Sequence, residues 1–169
     1  MVAPRGWKVR PTSDRVREAI FSVLGQRVVG ARVLDLFCGT GALAIEALSR
    51  GAASAVLVDR DTRGALGNVE RLGLGERAEL VRADVRRWLA ARAEEAAAPR
   101  FDLVFVDAPY RIADRVGQEL DTHLPSLLAE DGTAVVESAA RRPLRVESLE
   151  RRRQRRYGGT DVSFYGRGR

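Results

Sequence analysis

The chain has 169 residues, 45% of them hydrophobic and 31% charged, with a formal net charge of +6. That length and apolar content suit one globular domain, residues 1–169, whose core needs no covalent staples, with residues 1–12 expected as an N-terminal arm. The single cysteine, Cys38, excludes an intrachain disulfide and fits a reducing compartment, read as the cytoplasm; no run of about 18 apolar residues offers a membrane span or a secretory leader.

The charge is segregated: residues 1–17 carry +4, residues 141–169 carry +7, and the middle therefore carries −5. Basic ends around an acidic middle point to an anionic partner, a polyphosphate backbone first among them. The bland reading is a solvated surface with a bias for arginine, since Lys8 is the one lysine. That explains the choice of residue but not its segregation.

In chain order, Arg10-Pro11-Thr12-Ser13-Asp14 reads as a helix start, and Val16, Ala19, Ile20, Val23 and Leu24 follow at helical spacing up to Gly25. Val33–Phe37 predicts a strand, Cys38-Gly39-Thr40-Gly41 a turn, and Ala42–Arg50 a helix. The alternation recurs: strand Ala55–Asp59 and a helix to Leu72, strand Ala78–Ala83 and a helix to about Ala98, strand Phe101–Asp107 and a helix to about Ala129, then strand Thr133–Glu137. Leu144–Tyr157 and Asp161–Gly166 flank Gly158-Gly159 with no room for a helix, which predicts a terminal hairpin. The expected fold is α/β and Rossmann-like: a mainly parallel seven-stranded sheet with a C-terminal antiparallel hairpin, preceded by an N-terminal helix. That is the layout of the class I methyltransferases.

Ligands of such sheets bind beyond the carboxyl ends of the strands, so those ends hold the candidates. Gly39 and Gly41 let the backbone approach a ligand, with a helix N-terminus behind them; the Gly39-x-Gly41-x-x-Ala44 spacing also suits a dinucleotide turn or a tight turn without a ligand. Asp35, a carboxylate in an apolar strand, calls for a hydrogen-bonding or cationic partner, for which the ammonium of a methionine moiety would serve. Asp59 can accept from two ribose hydroxyls, and Asp84 from an adenine amine with the Ala83 backbone alongside; each is equally readable as a helix N-cap. Asp61 reads as solvated.

Asp107-Ala108-Pro109-Tyr110 closes the fourth predicted strand. An exocyclic base amine is a poor nucleophile because its lone pair is delocalised. The Asp107 carboxylate and the Ala108 carbonyl can accept its two hydrogens and aim the lone pair, with Pro109 stiffening the backbone and Tyr110 stacking on an everted base. A strand-end turn with a packed tyrosine is the plain alternative.

These residues resemble the RsmD family of bacterial small-subunit ribosomal RNA guanine-N2 methyltransferases. The likeness rests on Arg10-Pro11-Thr12-Ser13-Asp14-Arg15-Val16-Arg17-Glu18, Asp35-Leu36-Phe37-Cys38-Gly39-Thr40-Gly41-Ala42-Leu43, Glu46-Ala47-Leu48-Ser49-Arg50-Gly51-Ala52 and the tetrapeptide. It implies S-adenosylmethionine as cofactor and a guanine of 16S rRNA, naked or in a partly assembled subunit, as partner, with a monomeric enzyme and no membrane. It places cofactor contacts at Asp35, Gly39, Asp59 and Asp84, which Thr12, Phe37, Gly41, Arg60 and Ala83 complete, and it gives Arg10 or Arg17 a phosphate. The family's tetrapeptide has two prolines; here Ala108 replaces the first and keeps the acceptor carbonyl.

Other signals read as structural. His123 is expected at the surface, Cys38 as a small packing residue, Trp88 in the core, and no metal site is expected. Arg151-Arg152-Arg153-Gln154-Arg155-Arg156 can grip phosphates, although alternate residues of a strand share a face. Competing readings are a DNA adenine-N6 methyltransferase, a nucleotide-dependent oxidoreductase, and a non-catalytic RNA-binding relative.

Overall fold

A computed structural model describes residues 14–95 and 100–168. Helix α1 (Asp14–Leu24) buries Val16, Ile20, Phe21 and Leu24, a single stripe at helical spacing. After it come β1 (Arg32–Leu36), α2 (Ala42–Ser49), β2 (Ser54–Asp59), α3 (Arg63–Arg71), β3 (Ala78–Arg82), α4 (Val85–Glu94), β4 (Phe101–Asp107), α5 (Ala113–Leu127), β5 (Leu128–Ala139), β6 (Glu150–Tyr157) and β7 (Thr160–Gly166).

The strands form one seven-stranded sheet in the order β3-β2-β1-β4-β5-β7-β6. β1 to β5 pair in parallel and β7 runs antiparallel to both neighbours, giving the Rossmann-like class I methyltransferase arrangement with its closing hairpin. After β3 the chain crosses back to lay β4 on the free side of β1, so the winding reverses between β1 and β4 and opens a crevice there.

Period-two alternation divides the apolar side chains between two cores. Val33, Leu57, Leu103, Phe105 and Val135 face α1, α2 and α3. Leu34, Leu36, Val58, Val104, Val106 and Val136 face α4 and α5. The same parity puts Asp35, Asp59, Asp107 and Glu137 on the side of α1 to α3, each at or near the carboxyl end of its strand. Phe21 joins the layers, its ring 5.8 Å from that of Phe105 and under the Arg50 guanidinium at 5.0 Å.

Several boundaries differ from the sequence reading. β1 ends at Leu36 because Phe37 turns to φ 61 and leaves the strand. α5 stops at Leu127, not about Ala129, and β5 follows it directly. The β4–β5 register then jumps from Phe101↔Leu128 to Leu103↔Thr133, so 129–132 loop out and regular pairing starts at the predicted Thr133. Gly132 sits inside that loop, where a Cβ would lie 2.8 Å from Leu128 Cδ1 and 2.9 Å from the Ala129 carbonyl oxygen. α4 ends at Glu94, and the predicted extension to about Ala98 runs into 96–99, outside the described residues.

The first hairpin strand begins at Glu150 rather than Leu144; Leu144, Val146 and Leu149 are buried in irregular chain. The hairpin turns on Gly158 (φ 57) and Gly159, with Tyr157 paired to Thr160. β6 carries a bulge: Arg151 pairs with Tyr165 and Arg153 with Phe164, so Arg152 is the extra residue. Arg153 and Arg155 therefore share the α1–α3 face with Phe164 and Val162, whereas Arg151, Gln154 and Arg156 take the other.

Candidate active site

The turn after β1 is held from below. The N–H groups of Phe37 and Cys38 both donate to the Val58 carbonyl, at 2.9 and 3.3 Å, and Gly41 N–H donates to the Cys38 carbonyl at 2.7 Å. Phe37 adopts a left-handed conformation at a cost of about 1 kcal/mol, and its half-buried ring lines the crevice. Gly39 (φ 54) lines it too. Gly41 does not: at φ 77 it is the N-cap of α2, and a Cβ there would meet Leu57 Cδ2 at 2.9 Å and Ala65 Cβ at 3.3 Å. Its absent side chain lets α2 and α3 close on β2. Asn68, which sequence reasoning missed, reaches from α3 to donate to the Thr40 carbonyl at 3.0 Å and itself accepts from Arg71 at 2.9 Å.

Asp35 is 2% exposed and accepts from the Ala44 N–H at 3.1 Å. The expected hydrogen-bonding partner is thus the first turn of α2. Burial pushes its carboxyl up to about 7, and Asp59 adds to the rise while the Ala44 bond opposes it. It lies beneath the turn, off the crevice wall. Asp59 accepts from Gly39 N–H through Oδ2 at 2.9 Å and from Asp61 N–H through Oδ1 at 3.1 Å, which ties the ends of β1 and β2 together. Asp61, read as solvated, is ion-paired with Arg63, which pulls its carboxyl down to about 2.

Asp84 is an N-cap as well as a wall residue. Its Oδ1 accepts from the N–H groups of Arg86 and Arg87 at 3.0 and 3.4 Å, and its Oδ2 takes the Arg60 guanidinium, with Nε at 3.1 Å. The Arg60 hydrogen bond is the largest influence holding the Asp84 carboxyl down at about 2. Ala83 lies beside this pair, on a separate shallow surface with Arg82 and Arg87.

At the end of β4, Asp107 is half-buried, Ala108 is 4% exposed, and Pro109 turns the chain into a short 3₁₀ turn, Tyr110–Ile112, closed by Ile112 N–H to the Pro109 carbonyl at 3.0 Å. Tyr110 is 46% exposed, so its ring is presented rather than packed. A crevice of about 550 Å³ joins these residues to Phe37, Gly39, Asp59, Arg60 and Asp84, and adds Arg111, Ile112 and Glu137. Glu137 was not singled out from the sequence, although its place at the end of the fifth predicted strand was the available signal. Thr12 and Arg10 lie outside the described residues.

The crevice has the size of a small-molecule site, and its lining is mixed. Phe37, Val85 and Ile112 supply apolar walls, Asp59, Asp84, Asp107 and Glu137 supply carboxylates, and Arg60, Arg86 and Arg111 supply cations. Arg17 is not presented to a phosphate: it pairs with Asp14 at 2.8 Å and lies 3.8 Å from Glu46, which also holds Arg50 at 2.7 Å. Cys38 is buried, and burial pushes its thiol far above the ordinary range, with Asp35 and Asp59 reinforcing the effect. Trp88 packs against the core, and His123 sits on α5 beside Glu119 at 3.4 Å. Among the described residues no group of three or more His, Cys, Asp or Glu could hold a metal, and no helix is long and apolar enough to cross a membrane.

The family described as Conserved hypothetical protein 95 matches residues 1–166. "Putative rRNA methyltransferase YlbH" of Bacillus subtilis (strain 168) is 37% identical over 96% of this chain and 90% of its own length. "Ribosomal RNA small subunit methyltransferase D" of Escherichia coli (strain K12) is 40% identical over 61% of this chain and 50% of its own. A solved structure of a conserved hypothetical protein from Streptococcus pyogenes superposes with a TM-score of 0.76 at 32% identity, covering 90% of this chain and 96% of that one.

Proposed function

We propose, from the premise that this chain belongs to the Conserved hypothetical protein 95 family, to which it is similar along residues 1–166, that it methylates the N2 amine of a guanine in small-subunit ribosomal RNA, with S-adenosylmethionine as donor. The observation that carries this reading is the meeting of the Asp107-Ala108-Pro109-Tyr110 turn with the acidic ends of β2 and β3 in one crevice at the winding reversal.

The cofactor, when bound, supplies a methyl group already activated on a sulfonium, so the chain's task is chiefly positioning. Asp59 and the Gly39 backbone suit the ribose, Asp84 with the Ala83 backbone suits the adenine, and Phe37 gives an apolar wall; Arg60 borders the adenine side. Asp35 acts from beneath by fixing the start of α2, and Gly41 by letting that helix close. Tyr110 offers its exposed ring to an everted base, and the Asp107 carboxylate and Ala108 carbonyl accept the two amine hydrogens. The proton released on N-methylation passes to Asp107 or to water beside it. The setting that suits this reaction is the cytoplasm, with RNA or a partly assembled subunit as partner and a monomeric enzyme.

The test is methyl transfer from labelled S-adenosylmethionine to unmodified small ribosomal subunits, free 16S rRNA and duplex DNA. Label on guanine N2, reduced about 10²-fold or more in Asp107→Ala with cofactor binding kept, is expected. Cofactor binding without transfer to any of the three overturns the reading.

A further inference from the structure

We infer that Glu137 makes this a guanine site: it accepts the N1–H of the target base while Asp107 accepts from the neighbouring 2-amine. This rests on the reaction read above. Asp107 and Glu137 are register partners at the carboxyl ends of β4 and β5. Paired residues of parallel strands project to the same face from backbones about 4.8 Å apart. The residues two back, Phe105 and Val135, are also partners and are buried in one core, which fixes the parity of both carboxylates toward the same side. Both line the crevice together with the exposed ring of Tyr110.

Two carboxylates in register form an edge of acceptors, and the bases differ in what they offer to such an edge. Guanine presents two adjacent donors, N1–H and the 2-amine. Adenine and cytosine also carry an exocyclic amine, but beside it stands a ring nitrogen with a lone pair. That lone pair would face the Glu137 carboxylate, acceptor against acceptor. Glu137 is 8% exposed, so little water is at hand to relieve the mismatch. Sites built on such hydrogen bonds reject analogues that lack the donor far more strongly than apolar pockets reject a change of size. Asp107 alone selects an amine; Asp107 with Glu137 selects the amine of guanine. If Glu137 were only a structural carboxylate, its replacement would alter stability and leave base choice as it was.

The test replaces the guanosine that the wild-type chain methylates with 2-aminopurine, which keeps the 2-amine, lacks the 6-oxo group and exchanges N1–H for a lone pair. Wild-type kcat/KM should fall about 10²-fold or more on that substitution. Glu137→Gln keeps a carbonyl that can accept N1–H and adds amide hydrogens that can meet a lone pair, so it should gain on 2-aminopurine far more than it changes on guanine and narrow the ratio at least 10-fold, with cofactor affinity and melting temperature near wild type. Equal wild-type rates on the two bases, a comparison that needs no variant, overturn the inference; so does an unchanged ratio in folded Glu137→Gln. No wild-type transfer to guanine N2 overturns the proposed reaction itself and is seen before either comparison is made.

Discussion

Arg60 lies across Asp84 at the mouth of the crevice, its Nε 3.1 Å from Oδ2, while Oδ1 is committed to the first turn of α4. One carboxylate thus serves a helix cap and a ligand wall. Asp84→Ala should cost about 1 kcal/mol of stability through the lost cap and weaken S-adenosylmethionine binding, whereas Asp84→Asn keeps most of the cap and loses the charge. Urea denaturation and calorimetry separate the two effects.

The same pair has a pH signature. The carboxyl of Asp84 is held near 2 in the folded chain, below the 3.8 of an unperturbed aspartate. Its contribution to stability is complete above 3.8 and is lost as pH falls toward 2. Arg60→Ala should move the Asp84 titration upward, as read by carboxyl NMR. High salt should shrink the difference, because the Arg60 side chain is 72% exposed.

Asp35 has the opposite sign. Burial raises its carboxyl from 3.8 to about 7, so the folded chain holds a proton that the unfolded chain releases. The stability this confers is full below 3.8 and is lost as pH rises through about 7. Asp35→Asn can still accept the Ala44 hydrogen bond and does not ionise. It should flatten the fall in unfolding free energy across that interval, and an unaltered slope in chemical denaturation would count against the assignment.

Gly41→Ala should destabilise the fold by about 2 kcal/mol or more. It forces an alanine into a left-handed conformation and drives its Cβ against Leu57 and Ala65. A lowered urea midpoint with unchanged slope is the expected result.

The outer strand should carry part of the RNA affinity. Among the described residues Arg151, Arg153, Arg155 and Arg156 are exposed and have no carboxylate within ion-pair distance, and the cross-strand Asp161 is taken by Gln154 at 2.6 Å and Ser163 at 3.0 Å. Exchanging Arg153 and Arg155 for glutamate keeps a charged edge but should weaken RNA binding and reduce the salt slope by about 0.7 for each phosphate that is no longer neutralised. A slope equal to wild type would leave these arginines as mere edge protection.

Much of this was legible before the structure. The Gly39-Thr40-Gly41 break, the alternation of strands and helices and the Gly158-Gly159 hairpin follow from local rules, and those rules located the crevice. What escaped depends on contacts distant in sequence. Gly41 looks like Gly39 in the sequence, but only the approach of Leu57 and Ala65 makes it a packing glycine rather than a wall residue. Arg17 has Asp14 as a local partner on its own helix, and only the docking of α1 on α2 adds Glu46 beside it. Glu137 has no motif around it; it gains its place from its register with Asp107. The pairing of Leu128 with Phe101 ahead of the looped-out 129–132 is invisible to periodicity, because one isolated paired residue carries no alternation.

The bulge at Arg152 has one more effect. Because it turns residues two apart to opposite sides, the sheet ends in a border that is positive above and below. A second copy of the chain offering its own β6 as a further strand would meet like charge from either side and in either direction. Arginines on both faces of this border set like charge against like charge between copies, which opposes growth of the sheet across its exposed edge.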